Sequence, residues 1–133
     1  MENRFFEFLT DDERADCLAL GTISKQPSST TLLQAGNRSH ALFILLAGNA
    51  EVRRGDGAVL AQLASGDVFG EMSFIQNVRA SADVVATTDV TVLTLTDAVI
   101  NELFKKRPRL AAGLYRSLAA ELARRLRVIS AKP

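Results

Sequence analysis

The stretch FGEMSFIQNVRASADVVA, residues 69–86, is the one segment between the apparent strands that does not read as another hairpin. Gly70 lets the chain turn tightly, and Glu71-Met72-Ser73-Phe74-Ile75 can open a short helix. A helix N-terminus presents N–H groups without intrahelical acceptors and the positive end of the helix dipole. An anion, above all a phosphate, is the natural guest there. Glu71 would repel a phosphate but suits a sugar hydroxyl, which can donate to it. Downstream, Arg79 offers charge and Ser81 a further hydrogen bond. Taken alone, the stretch reads at least as well as a plain helix entry with a solvated first-turn acid.

The surroundings of this segment are short β-rich runs from about Thr22 to Leu95. They are Thr30–Leu33, Leu42–Leu46, Ala50–Arg53, Val59–Leu63, Asp83–Ala86 and Val90–Leu95. Turn residues separate them, with Arg54-Gly55-Asp56-Gly57 the best tight-turn signal. Many short strands with regular turns predict a mainly β protein, an antiparallel barrel or roll closed to protect its edges. Helices flank it. Residues 3–20 read as helix, with Thr10-Asp11-Asp12-Glu13 capping a second segment and Gly21 as its stop. Thr96-Asp97 is an N-cap pair, Pro108 marks a bend, and a long helix follows from about Arg109 to Ile129. Along it Leu110, Leu114, Leu118, Leu122 and Leu126 recur every fourth residue. A stripe of about 30 Å is more than so small a domain is expected to cover, so a homodimer through residues 109–129 is predicted.

Length and composition narrow the classes. A chain of 133 residues with 47% apolar and 23% charged residues suits one folded domain, and its apolar runs are too short to span a bilayer. The acids in MENRFFEFLTDDE do not suit a signal peptide, so a cytoplasmic setting is expected. Cys17 is the single cysteine, expected to be a buried inert thiol, and His40 the single histidine. Neither metal ligands nor catalytic residues are predicted. Ser73 and Ser81 have no histidine base at hand, because His40 belongs to a different loop. Residues 105–133 hold nine basic residues against Glu121, a net +8, while the rest of the chain carries −7. Such a tail is usually a solvated face, and the acidic half could attract the basic tail of its own or a neighbouring chain.

Together these residues resemble the cyclic-nucleotide-binding domain family, from about Phe5 to Arg127. The most specific match is Phe69-Gly70-Glu71-Met72-Ser73-Phe74-Ile75, followed by Arg79 through Ala86. Leu33-Gln34-Ala35-Gly36, Leu42 through Gly48, and Gly66-Asp67 support it. The resemblance implies a single domain over 1–133. Its parts would be N-terminal helices at 1–21, an eight-stranded β-roll or jelly-roll at 22–95 with a phosphate-binding cassette at 69–82, and two C-terminal helices at 96–130. It also implies cyclic AMP or cyclic GMP as ligand and no further cofactor. The site would comprise Phe69, Gly70, Glu71, Met72, Ser73, Arg79, Ala80, Ser81 and Ala82, with Glu71 on the ribose 2′-hydroxyl and the C-terminal helix as a lid or dimer seam.

One departure bears on the ligand. The family's phosphate arginine is the ninth residue after the glutamate and directly precedes a small pair, here Ser81-Ala82. Both rulers select Ala80, and the arginine stands one place early, at Arg79. In extended backbone neighbouring side chains face opposite ways, which would turn Arg79 from the phosphate, whereas in a loop its long side chain could still curl inward. Losing a charge-assisted contact of roughly 1.5–3 kcal/mol weakens binding by about one to two orders of magnitude. Asn77 replaces a frequent turn glycine, a mild change because Asn tolerates the left-handed region. The leading expectation is a non-catalytic sensor whose C-terminal helices relay to a separate effector chain. The alternative is a degenerate fold serving dimerisation or protein docking, with a cyclic dinucleotide as a possible ligand. Because Pro133 ends the chain shortly after Ile129, no DNA-reading helix-turn-helix and no attached channel, kinase or cyclase is expected.

Overall fold

The computed structural model describes residues 4–130; residues 1–3 of the expected N-terminal helix and residues 131–133, with Lys132 of the basic tail, lie outside the described residues. A 3-10 turn at Arg4–Phe6 leads to α1, Asp11–Leu20. The predicted capping box starts α1: Thr10 Oγ1 accepts from Glu13 N–H at 3.2 Å, and Glu13 Oε1 accepts from Thr10 N–H at 2.9 Å. Gly21 ends the helix as expected, though in extended backbone at φ −79°, with its N–H donating to Cys17 O.

Eight strands follow. They are β1 Thr22–Gln26, β2 Thr31–Leu33, β3 Ala41–Ala47, β4 Ala50–Arg53, β5 Val59–Leu63, β6 Val68–Phe69, β7 Asp83–Ala86 and β8 Val90–Thr96. Two antiparallel four-stranded sheets result, in orders β1-β8-β3-β6 and β2-β7-β4-β5. This is the predicted roll, with two strands that the sequence reading did not separate. β1 is polar and mostly exposed, so it lacks an alternating apolar signal. β6 is two residues long and is defined by pairing Phe43 with Phe69 and Ile44 with Val68. The helix predicted inside the roll is α2, Glu71–Gln76, and the chain closes with α3, Asp97–Lys106, and α4, Pro108–Ser130. Among the described residues no helix is long and apolar enough to cross a membrane.

Two apolar clusters hold this arrangement. One lies between the sheets, where Leu33, Leu45, Phe69, Val84 and Val92 meet. The other joins the first sheet to the helices through Phe5, Cys17, Ile44, Leu95, Leu103 and Leu114. Each fully buried Leu, Ile or Phe adds about 1.5–3 kcal/mol of burial free energy. Cys17 is buried there, and burial, with the Glu13 charge second, pushes its thiol up to about 12.

The leucine stripe corrects the premise of the predicted dimer seam. Leu110, Leu114 and Leu118 are buried in the protein's own core, Leu122 packs against it, and Leu126 alone of the five is well exposed, at 64%. The N-terminal segment supplies the missing cover. It approaches so closely that a Cβ on Gly113 would lie 2.5 Å from Leu9 Cδ2. Arg116 sits 4.2 Å above the Phe8 ring, and Arg124 Nη1 donates to Glu7 at 2.7 Å. Arg107 pairs with Asp16. Much of the basic tail thus binds the acidic half of its own chain.

Candidate functional site

Gly70 fixes the entry to the cassette. Its φ of +78° is left-handed, and a Cβ there would meet Phe43 Cδ2 at 2.7 Å, so both conformation and space demand glycine. Phe43 in turn stacks on Phe69, with centroids 5.1 Å apart and planes 10° from parallel. Glu71, Met72 and Ser73 then form the first turn of α2, where N–H groups lack intrahelical acceptors. The side chain of Met72 lies outside what the structure describes. Ser73 is buried, and its Oγ accepts from Ser39 N–H at 3.2 Å. Asn77 closes α2 at φ +55°, the left-handed conformation that its residue type tolerates, with its N–H on Ser73 O.

Residues 77–82 form a loop rather than the start of a strand, since β7 begins at Asp83. Side-chain direction nevertheless alternates there. The backbone of Ala80 pairs with the 36–37 turn, Ala80 N–H donating to Asn37 O and Gly36 N–H to Ala80 O, both at 2.8 Å. This pairing points the Ala80 side chain inward and Arg79 outward. Arg79 Nη1 donates to Gly36 O at 2.9 Å, and the residue lines an outer groove with Asn37, Arg38 and Phe43. The structure therefore does not bring Arg79 to the other expected site residues.

Those others converge. Phe69, Gly70, Glu71, Ser73, Ala80, Ser81 and Ala82 line one cavity of about 870 Å³. Its floor is apolar, from Leu33, Val52, Leu63 and Val84, and its far wall is the C-terminal half of α4, through Glu121, Arg124, Arg125 and Arg127. Arg125 Nη1 donates to Glu71 Oε1 at 3.1 Å, and its Nη2 donates to Val68 O. Glu121, only 2% exposed, accepts from Arg124 Nη2 at 2.9 Å and lies 3.8 Å from Arg125 Nε. Hydrogen bonds to Glu7 first and Glu121 second hold the Arg124 guanidinium above its ordinary value. Among the described residues, every cation lining this cavity comes from α4.

Sequence reasoning offered the C-terminal helix as a lid or dimer seam but named none of the α4 residues that line the cavity. A signal existed, because Glu121, Arg124 and Arg125 interrupt an otherwise leucine- and alanine-rich stretch, and Glu121 is the single acid of the basic tail. A cavity of this volume with an apolar floor and a few convergent polar groups suits a small-molecule ligand. Among the described residues no group of three or more His, Cys, Asp or Glu could hold a metal ion.

Comparison with known proteins agrees with this architecture. The sequence profile described as "Cyclic nucleotide-binding domain" matches residues 25–107. Glutaminase 1 of Bradyrhizobium diazoefficiens is 36% identical over 131 residues, covering 98% of this chain and 21% of that protein. The chain thus spans about a fifth of the length of the glutaminase relatives it matches. The catabolite activator protein of Thermus thermophilus superposes with a TM-score of 0.78 at 30% identity, over 96% of this chain and 60% of that one. A cyclic nucleotide-binding domain from Methylobacillus flagellatus shares the fold at a TM-score of 0.85 and 22% identity, over 93% of this chain and 77% of that one.

Proposed function

The chain belongs to the cyclic nucleotide-binding domain family, and from that premise we propose that it is a single non-catalytic sensor domain for cyclic AMP or cyclic GMP. The observation that carries this reading is the shared cavity, with Glu71, Ser73, Ser81 and Ala82 on one wall and α4 on the other. A cyclic phosphate would take the first-turn amides of α2 with those of Ser81 and Ala82. The ribose would donate a hydroxyl to Glu71, and the base would lie on the apolar floor beneath α4. Occupancy would bias how the C-terminal half of α4 packs, and so what it presents to an effector. Titration calorimetry with cyclic AMP and cyclic GMP tests the reading. Saturable one-to-one heat is expected for at least one of them, and no heat up to millimolar ligand would overturn it.

A second reading is favoured by one observation, the outward turn of Arg79 onto Gly36 O. Without a strand arginine the fold could serve as a docking or dimerisation module, its copies meeting at the exposed end of α4. Under that reading neither cyclic mononucleotide gives heat, cyclic di-GMP is the further ligand to titrate, and sedimentation velocity shows a dimer.

A further inference from the structure

The cavity places a carboxylate, Glu71, beside the position where the cassette would hold an anion, and no arginine at position 80 offsets it. Like charges so close repel, most strongly where protein screens them from water. The cavity's nearest remedy comes from 54 residues away in sequence, since the Arg125 guanidinium donates to Glu71 Oε1 at 3.1 Å.

We propose that Arg125 is the positioning residue of this ligand site. It orients the Glu71 carboxylate and offsets its charge beside the ligand's phosphate, so that an α4 cation does what the residue at position 80 cannot. The inference rests on the sensor reading and names the counter-charge that reading lacks.

Three features of the contact support this role over that of a plug that a ligand must displace. The guanidinium engages Oε1, which leaves Oε2 for a hydroxyl donor. Its second arm is held by Val68 O, in the strand just before Gly70, so one side chain spans the entry to the cassette. Glu121, buried on the same helix face, flanks Arg125 at 3.8 Å and pairs more closely with Arg124, which keeps Arg125 available to Glu71. The Glu71 side chain is 17% exposed and that of Arg125 31%, so the pair is partly withdrawn from solvent. Arg79, by contrast, faces the outer groove.

A double-mutant cycle tests this. Cyclic AMP is titrated into the wild type, Glu71→Gln, Arg125→Gln and the double variant, with circular dichroism and thermal melts confirming the fold of each. Arg125→Gln is expected to weaken binding at least tenfold. In the Glu71→Gln background, where no carboxylate needs an offset, the same change is expected to cost less than threefold. A merely structural role would give equal losses in both backgrounds. Arg125→Lys retains the charge but not the two-armed reach, and is expected to recover part of the loss; it also stands in should Arg125→Gln not fold. Unchanged or tighter binding by Arg125→Gln, or equal losses in the two backgrounds, would overturn the inference and leave the sensor reading intact. Absence of binding by the wild type overturns both.

Discussion

From Leu110 to Leu118 the helix α4 packs into the apolar cluster beneath the first sheet, whereas from Glu121 to Arg127 the same helix forms the wall of a polar-rimmed cavity. Both halves carry the fourfold leucine repeat. In the first half the repeat is buried and small residues stand beside it, so Gly113 can touch Leu9 and Ala111 is fully covered. In the second half the repeat thins out into Leu122, which only partly packs, and exposed Leu126, while Glu121, Arg124 and Arg125 meet the cavity. The apolar stripe thus tells where a helix lies against its core, and the charged residues between its leucines tell what else it faces. One half anchors the helix, and the other lines the cavity.

The comparison breaks if the anchoring half is not the stability determinant. Leu114→Ala removes a side chain that is 2% exposed and leaves a void between helix and sheet. It is expected to cost about 2–5 kcal/mol in urea unfolding. The partly exposed Arg125–Glu71 pair is worth at most about 1 kcal/mol to the fold itself. Should Arg125→Gln destabilise the protein as much as Leu114→Ala, the division of labour along α4 would be wrong.

Ala80→Arg sharpens the comparison from the opposite wall. Ala80 already faces the cavity, so an arginine there would return a cation to the cassette side. Cyclic AMP affinity is expected to rise by about ten- to a hundredfold, the range of one charge-assisted arginine contact. In an Arg125→Gln background the gain should be at least as large, because the counter-charge from α4 is then missing. No gain in either background would mean that the cavity's anion site does not lie near residue 80.

These distinctions also mark how far the sequence carries. The cassette was legible because its residues are fixed by backbone geometry: Gly70 and Asn77 are both left-handed, as their types and positions suggested. Arg79 was counted among the site residues although the count from Glu71 and from Ser81-Ala82 put its direction in question, and the paired turn at Gly36 and Asn37 is what holds it out of the cavity. Local capping at Thr10 and Thr96 was equally legible, since each depends on a partner three residues away. β1 was not, because a polar edge strand is defined by its pairing with β8 rather than by its own pattern. Nor was the partner of the leucine stripe. Phe5 and Leu9 lie about a hundred residues earlier, and periodicity says that a face is buried without saying against what. The Arg125–Glu71 pair escaped for the same reason, being a contact across the cavity between elements that share no local signal.

The smallest expected effect concerns the end of α4, where the anchoring pattern runs out. Leu126 is 64% exposed, so Leu126→Ala should alter unfolding by less than about 0.5 kcal/mol. Its value lies in what it says about a second copy. Were residues 109–129 a seam between chains, Leu126 would be the leucine of the repeat left free to enter it, because Leu110, Leu114 and Leu118 already lie in the chain's own core. Sedimentation velocity of wild type and Leu126→Ala, compared over a range of concentrations, separates the cases. Identical profiles are expected if the exposed end serves the cavity alone. A dimer in the wild type that the substitution weakens would assign the second half of α4 a docking role, and would favour the module reading over the sensor.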